Sequence, residues 1–535
     1  MGLHSLFKLL KKPNDTSSST CLPLSTNIPS PPTFDPFDPA VAQVYRYRRQ
    51  IGVNLGCVFI LERWLCPLKL CQQVPAAKGW ESEHDFLKSC SSPQEARRIL
   101  EDHWETYVTQ DDMAILASKG INTIRLPIGY WIVQRSLLVP PFASFEGVYD
   151  SAWNWFLRTI HMAAQYGIGV LVDLHGAPGG QNSDTHCGVS TGRAEFFTNP
   201  HYQEVTLEVL CTLAHTLVKI NNVVGLELLN EPTDHPSLEQ FYERALTKLS
   251  YPDTIGLPLY ISDCWNPDGK YTQWLQSRLY DQNCNQGNIQ PRQPRQPRQP
   301  RQLIVMDTHQ YFCHTPRDHA RSALQHTQDL KTLVRDRVGR ARDQLAGCLV
   351  VGEWSVVLNH QSIPAHENDA NVMRDFGKAE LQVWDQVSAG NFYWNYRAGN
   401  DTWFWSFVYC QEHQILASGS VDTSQCSLDL NRLSGLKQGW LDEAFENHRD
   451  YWTGQPGGVS QQVIECFGLF QDGYRIGFDV AQRFVNQNQS QIGFVQPLLE
   501  IYKDQSGLDL LAAQVWQFDH GFLQAIDKVW QSQIK

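Results

Sequence analysis

The chain has 535 residues, enough for one large domain with insertions or for two domains. With 42% hydrophobic and 19% charged residues it can build a large core, which argues against global disorder. A formal net charge of −12 argues against a general nucleic-acid binder.

The N-terminus, MGLHSLFKLLKK, has a short apolar part interrupted by Lys8 and no small-residue cleavage site, so no signal peptide is expected. Leu6 breaks the myristoylation pattern, and no run is apolar and long enough to span a bilayer. The 14 cysteines show no CxxC and no zinc-ligand spacing. The expectation is a cytoplasmic protein with reduced thiols and no metal or cofactor; secretion by a non-standard route is the alternative. Leu3, Leu6, Phe7, Leu9 and Leu10 among Lys8, Lys11 and Lys12 allow a short basic amphipathic helix with weak membrane-surface contact. Residues 13–40 are rich in Pro, Ser and Thr, and 1–44 reads as a disordered tail.

From Ile51 the pattern becomes regular. Eight apolar strand candidates follow: 52–60, 122–127, 167–175, 223–230, 257–263, 303–309, 348–353 and 390–394. Helical stretches separate them, at 92–105, 111–119, 151–166, 200–219, 238–249, 317–345 and 371–387. Strand–helix alternation implies a parallel sheet, and eight units imply a (β/α)8 TIM barrel over about 45–410. The open doubly wound alternative is weak, because Gly52 and Gly56 lack the GxGxxG turn. Residues 266–302 read as an insertion ending in QPRQPRQPRQPRQ, where a Pro at every third position favours an extended polyproline geometry. That run and the tail are expected to lack packed structure and to be cut first by proteases. Beyond 410 the strand rhythm stops, and 411–535 reads as a C-terminal extension that packs on the barrel.

A barrel places functional polar residues at strand C-termini. Arg125, His175, Asn230, Glu231, His309, Tyr311, Glu353 and Trp394 fall at or near such ends. In VVGLELLNEP the strand stops at Pro232 and presents Asn230 and Glu231; in CLVVGEWS a second apolar run presents Glu353. Two glutamates on two strand ends fit the paired carboxylates of glycoside hydrolysis.

The motifs GVNLGCVFILERWL, INTIRLPIGYW, GVLVDLHGAPGGQN, VVGLELLNEP, DTHQY, VVGEWS and GNFYWNY resemble glycoside hydrolase family 5, nearest its fungal exo-β-1,3-glucanase branch. The resemblance spans roughly 46–405. It implies Glu231 as acid/base, Glu353 as nucleophile, and Glu62, Arg125, His175, Asn230, His309, Tyr311 and Trp394 as substrate-binding residues. Under this mechanism Glu231 is expected to have a raised pKa, and Glu353 to be kept ionised by Arg125 and Tyr311. The loop Ser183–Gly188 departs from the branch, which leaves linkage and aglycone open. The implied activity is a retaining glucan 1,3-β-glucosidase on a β-glucan or β-glucoside, acting as a monomer. The alternatives are an intracellular β-glucosidase acting on glucosyl lipids or sterols, and a catalytically silent carbohydrate-binding barrel.

Overall fold

The computed structural model describes residues 29–533 apart from 75–78, 251–253, 255, 285–301, 364–368, 400–402, 417–429, 457–458 and 508–513. Most of the tail and the Pro-Arg-Gln run lie outside the described residues.

Eight parallel strands close into one barrel in chain order. They are β1 (Gln50–Asn54), β2 (Thr123–Gly129), β3 (Gly169–Gly176), β4 (Val223–Glu227), β5 (Leu259–Ser262), β6 (Ile304–Phe312), β7 (Leu349–Leu358) and β8 (Gly390–Tyr393). β8 pairs back onto β1, with Gln50 opposite Gly390. Strands such as β2, β3 and β4 are buried at every position, which is why they read as unbroken apolar runs. Helices ring the barrel. In Pro93–Thr106, Ser92 caps the first turn by accepting from the Glu95 amide, and Ala96, Ile99, Leu100 and His103 form the buried stripe.

Several boundaries differ from the sequence reading: β4 ends at Glu227 rather than 230, β7 runs on to Leu358, and three further differences concern whole segments. β1 ends at Asn54, and the apolar residues that follow leave the barrel as a buried strap touching β2 through a Phe59–Ile128 bridge. Residues 39–44, assigned to the tail by composition, open a helix, Pro39–Tyr47, capped by Asp38. The 266–302 segment contains a helix, Lys270–Cys284, that buries Tyr271 and Leu275 and serves as the fifth barrel helix. Among the described residues, no helix is long and apolar enough to cross a membrane.

The C-terminal part is helical. Its main elements are Leu430–Thr453, Phe467–Asn486 and Trp516–Gln531. It seats on the barrel floor: the Arg49 amide donates to the Gln491 carbonyl at 2.7 Å, and the Gly493 amide donates to the Tyr47 carbonyl at 2.9 Å. The second and third of these helices meet backbone to backbone. A Cβ on Gly521 would stand 2.0 Å from the Phe470 carbonyl oxygen, and one on Gly473 would stand 2.1 Å from that of Phe518. A backbone wall cannot rotate aside as a side chain can. Gly521→Val is therefore expected to cost about 1–3 kcal/mol by overpacking, read as a lower denaturant midpoint, with the barrel's activity changed less than its stability.

Candidate active site

The site is built on strand register. β6 and β7 pair with a shift at Thr308/His309 that sets His309 opposite Glu353. β2 pairs with β1 so that Arg125 lies opposite Asn54. β4 stops at Glu227, and the chain then turns out, with Glu231 in the left-handed region at φ 42°. A non-glycine residue held there points to a functional constraint.

Arg125 is fully buried and organises the floor. Its Nη1 donates to Glu353 Oε1 at 2.9 Å and to Asn54 Oδ1 at 3.1 Å; Nη2 donates to Asn230 Oδ1 at 2.7 Å; Nε donates to Glu227 Oε2 at 2.9 Å. Asp173 stands 3.2 Å from Nη1 and Asp307 3.7 Å from Nε. Burial alone would lower the arginine pKa, but four carboxylates outweigh it and hold the guanidinium charge firmly. Burial drives Glu227 well above the carboxylate range, against the pull of Arg125.

Glu353 is gripped from two sides. Oε1 takes Arg125, and Oε2 takes the Tyr311 hydroxyl at 2.7 Å. Glu231 Oε1 receives His309 Nδ1 at 2.6 Å and the Trp265 indole N–H at 3.1 Å. Both donors converge on that one oxygen, so Oε2 is the oxygen turned to the cavity. His186 Nε2 lies 3.7 Å from Oε2, but it accepts from the Asn182 amide at 2.8 Å. Asn182 also donates to the Glu231 carbonyl at 3.0 Å, which ties the departing loop to the acid's backbone. Ligand-type atoms of Glu231, His309 and Glu353 all lie within 4.8 Å of one another.

The protonation pattern differs from the one expected. Burial raises Glu231, but the His309 bond and charge outweigh it and hold the carboxyl down to about 2, while His309 sits well above its usual range. Glu353 is pushed up to about 7, chiefly by burial, against His309, Arg125 and Tyr311. In the free site, then, the proton meant for the acid rests on His309, across a 2.6 Å bond from Glu231. The imidazole, read from sequence as a partner of sugar hydroxyls or of Glu231, is the reason.

A cavity of about 830 Å³ opens over these groups. Glu62, Glu231, His309, Tyr311, Glu353 and Trp394 reach its wall. Arg125, His175 and Asn230 do not: each is fully buried beneath it. His175 donates from Nδ1 to Asp173 at 2.6 Å, stays neutral with its pKa lowered to about 4 by burial, and stacks parallel to Trp394 at 5.7 Å. These three shape the site from below. Burial pushes Glu62 up to about 8, and Trp64 donates to its Oε2 at 3.0 Å. Sequence reasoning missed Asp173, Glu227 and Asp307, along with Trp64, His186, Trp265 and Trp405 on the wall. The first three carried a signal. Asp173 precedes His175 by two, as Asp307 precedes His309, so each pair shares one strand face.

Glu227, Asp307 and His309 also cluster as metal-type ligands, as do Glu231, His309 and Glu353. Both sets are faced by Arg125, whose guanidinium already supplies the charge a metal ion would bring.

A closed (β/α)8 barrel with two carboxyls of this spacing at its C-terminal mouth defines a glycosidase-type active site. The family model Cellulase (glycosyl hydrolase family 5) matches residues 90–400, more than half of the chain. The chain belongs to glycosyl hydrolase family 5 and is a glycoside hydrolase. A second model, the Glucan 1,3-beta-glucosidase 3 C-terminal domain, matches 434–532. Glucan 1,3-beta-glucosidase 3 of Schizosaccharomyces pombe is 29% identical over 423 residues, covering 76% of this chain and 81% of that protein. An uncharacterized glycosyl hydrolase of Saccharomyces cerevisiae is 26% identical, covering 94% of this chain and 95% of its own length. The crystal structure of rutinosidase from Aspergillus niger shares the fold, at TM-score 0.52 and 18% identity, covering 69% of this chain and 98% of that one.

Proposed function

We propose that the chain is a retaining, exo-acting glucan 1,3-β-glucosidase, with Glu353 as nucleophile and Glu231 as acid/base. The observation that carries the reading is the approach of the two carboxyls within 4.8 Å. So close an approach of carboxylate oxygens favours the roughly 5–5.5 Å carboxyl separation of retaining enzymes over the wider gap in which an inverting enzyme holds a water. Glu353 attacks the anomeric carbon while Arg125 and Tyr311 hold its oxygens. Glu231 recovers its proton from His309 and passes it to the leaving oxygen; it later draws a proton from water. Trp394 and Tyr311 furnish aromatic surface for the sugar. The 1,3 linkage draws on the names of the relatives, from Schizosaccharomyces pombe and elsewhere.

The test is a panel of laminari-, gentio- and cello-oligosaccharides with an aryl β-glucoside, followed by NMR. Release of β-glucose from the ends of laminari-oligosaccharides is the expected result. Inverted product sinks the mechanism, and an inert protein on every β-glucoside favours the silent barrel.

The pH profile is a second check. Glu353 must be ionised to attack, and its pKa is raised to about 7, so protonation begins to remove activity on the neutral side of the usual carboxylate range. kcat/KM is expected to rise with pH through a midpoint near 7 and to fall at higher pH as His309 loses the shared proton. A midpoint in the range of an unperturbed carboxylate would contradict this.

A further inference from the structure

The strap that leaves β1 carries two of the cavity residues, Glu62 and Trp64, and it is closed at both ends by cysteines. Cys57 and Cys66 are both buried, and their Sγ atoms stand 3.1 Å apart. That is only about 1 Å longer than a disulfide bond. The contact is held by backbone. Cys57 takes φ 62°, and its carbonyl accepts from His103 Nε2 at 2.6 Å. The amides of Leu65 and Cys66 both donate to the Glu62 carbonyl, which winds 62–66 into one turn. Cys57 Sγ also approaches that carbonyl, at 3.7 Å. A third cysteine stands at the surface side. Cys71, on the helix Leu68–Gln73, is half-buried, and its Sγ lies 3.9 Å from the Cys66 carbonyl oxygen.

We propose that Cys57, Cys66 and Cys71 form a thiol-oxidation site, in which a hydroperoxide enters at Cys71 and the oxidation comes to rest as a Cys57–Cys66 disulfide clamping the Glu62–Trp64 strap. A bond to Cys66 and the charge of Arg63 bring the Cys71 thiol down to about 7, so a thiolate forms near neutral pH on the most accessible of the three sulfurs. That thiolate attacks the hydroperoxide. The O–O bond breaks, Cys71 becomes a sulfenic acid, and the departing oxygen takes a proton and leaves as water or alcohol. Cys66 then attacks the sulfenic sulfur; the S–O bond breaks, an S–S bond forms, and water leaves with the Cys66 proton. Cys57 attacks the Cys66 sulfur in turn, and Cys71 departs, regaining the proton that Cys57 gives up. Two thiols are oxidised and one hydroperoxide is reduced. The final link closes a short loop between sulfurs that already stand 3.1 Å apart.

The experiment uses the full chain, treated with hydrogen peroxide, alkylated while denatured, and mapped by mass spectrometry. The expected product is a Cys57–Cys66 peptide pair lighter by two hydrogens and restored by dithiothreitol, with a reversible rise of a few degrees in the unfolding midpoint. Cys57→Ala should lose both changes, and Cys71→Ser should form the same link several-fold more slowly. Because the readout is a mass and not a turnover, it stands apart from the glucosidase reading. Full alkylation of Cys57 and Cys66 after Cys71 has been oxidised overturns the proposal, and so does an unchanged rate in Cys71→Ser.

Discussion

Arg125→Leu is expected to lower stability at pH 7 by about 3–5 kcal/mol, the scale of leaving buried charges without their partner, and to abolish turnover. The reason lies in what converges on this one side chain. Asp173, Glu227 and Asp307 are fully buried, and Glu353 nearly so, and Arg125 is the guanidinium that faces all four. Leucine fills part of the volume and supplies none of the charge. The carboxyls would respond by taking up protons, so the folded-state pKa values of Glu227 and Glu353, already raised by burial, would climb further without the cation that opposes it. The folded state then binds more protons than the unfolded state, and stability falls as pH rises. The variant should therefore lose stability steeply between mildly acid and neutral pH, where the wild type loses less. Arg125→Lys separates charge from geometry. An ammonium restores the cation but cannot reach Glu227, Asn54, Glu353 and Asn230 in one planar fork, so it should recover part of the stability and little of the activity. Chemical denaturation of both variants across pH is the measurement; a leucine variant as stable as wild type would remove Arg125 from the centre of the argument.

The same floor shows what a sequence can and cannot display. All eight strands were legible, because burial on both faces leaves continuous apolar runs such as GVLVDLH and VVGLE. β1 was drawn too long for the same reason: CVFIL is as apolar as a strand, yet it is buried as a strap rather than laddered. The paired glutamates were legible because each interrupts an apolar run, although only Glu231 lies past a strand end; Glu353 stands within β7, which runs on to Leu358. The belt of Asp173, Glu227 and Asp307 was missed, although a carboxylate inside such a run is costly to bury and must find a cation. The alternation of strand side chains would have aimed Asp173 and Asp307 at the barrel axis. Trp265 and His186 offer no comparable signal. Trp265 sits in a turn and His186 in a short 3-10 helix, and their partner Glu231 is 34 and 45 residues away in sequence; only closure of the barrel brings them together. Nor does spacing reveal proton placement, since it depends on the 2.6 Å contact between His309 and Glu231.

Glu353→Gly and Glu231→Ala are expected to fail in different ways, and the difference tests the assignment of roles. Glu353 is held at both oxygens by Arg125 and Tyr311 and has no second task, so its removal should abolish turnover on every substrate. The space it vacates admits azide, which attacks the anomeric carbon from the nucleophile's face and gives the α-glycosyl azide. Glu231→Ala removes the proton donor but leaves the nucleophile. An aryl glucoside with a good leaving group needs little acid help, so its glycosylation step should survive, while oligosaccharides should lose several orders of magnitude, on the 10²–10⁴-fold scale of general acid catalysis. With no base to activate water, the glycosyl-enzyme accumulates, and azide then attacks from the opposite face to give the β-glycosyl azide. His309 adds a discriminating detail. The charge of Glu353 and the bonds to Asp307 and Glu231 together keep the site's proton on the imidazole against burial, so in Glu231→Ala the imidazole loses one of these supports and its pKa should fall. The alkaline limb of the aryl-glucoside profile should move to lower pH or disappear. Product anomers read by NMR decide between the roles: if both variants give the same anomer, Glu231 and Glu353 do not divide the work as their hydrogen bonds indicate.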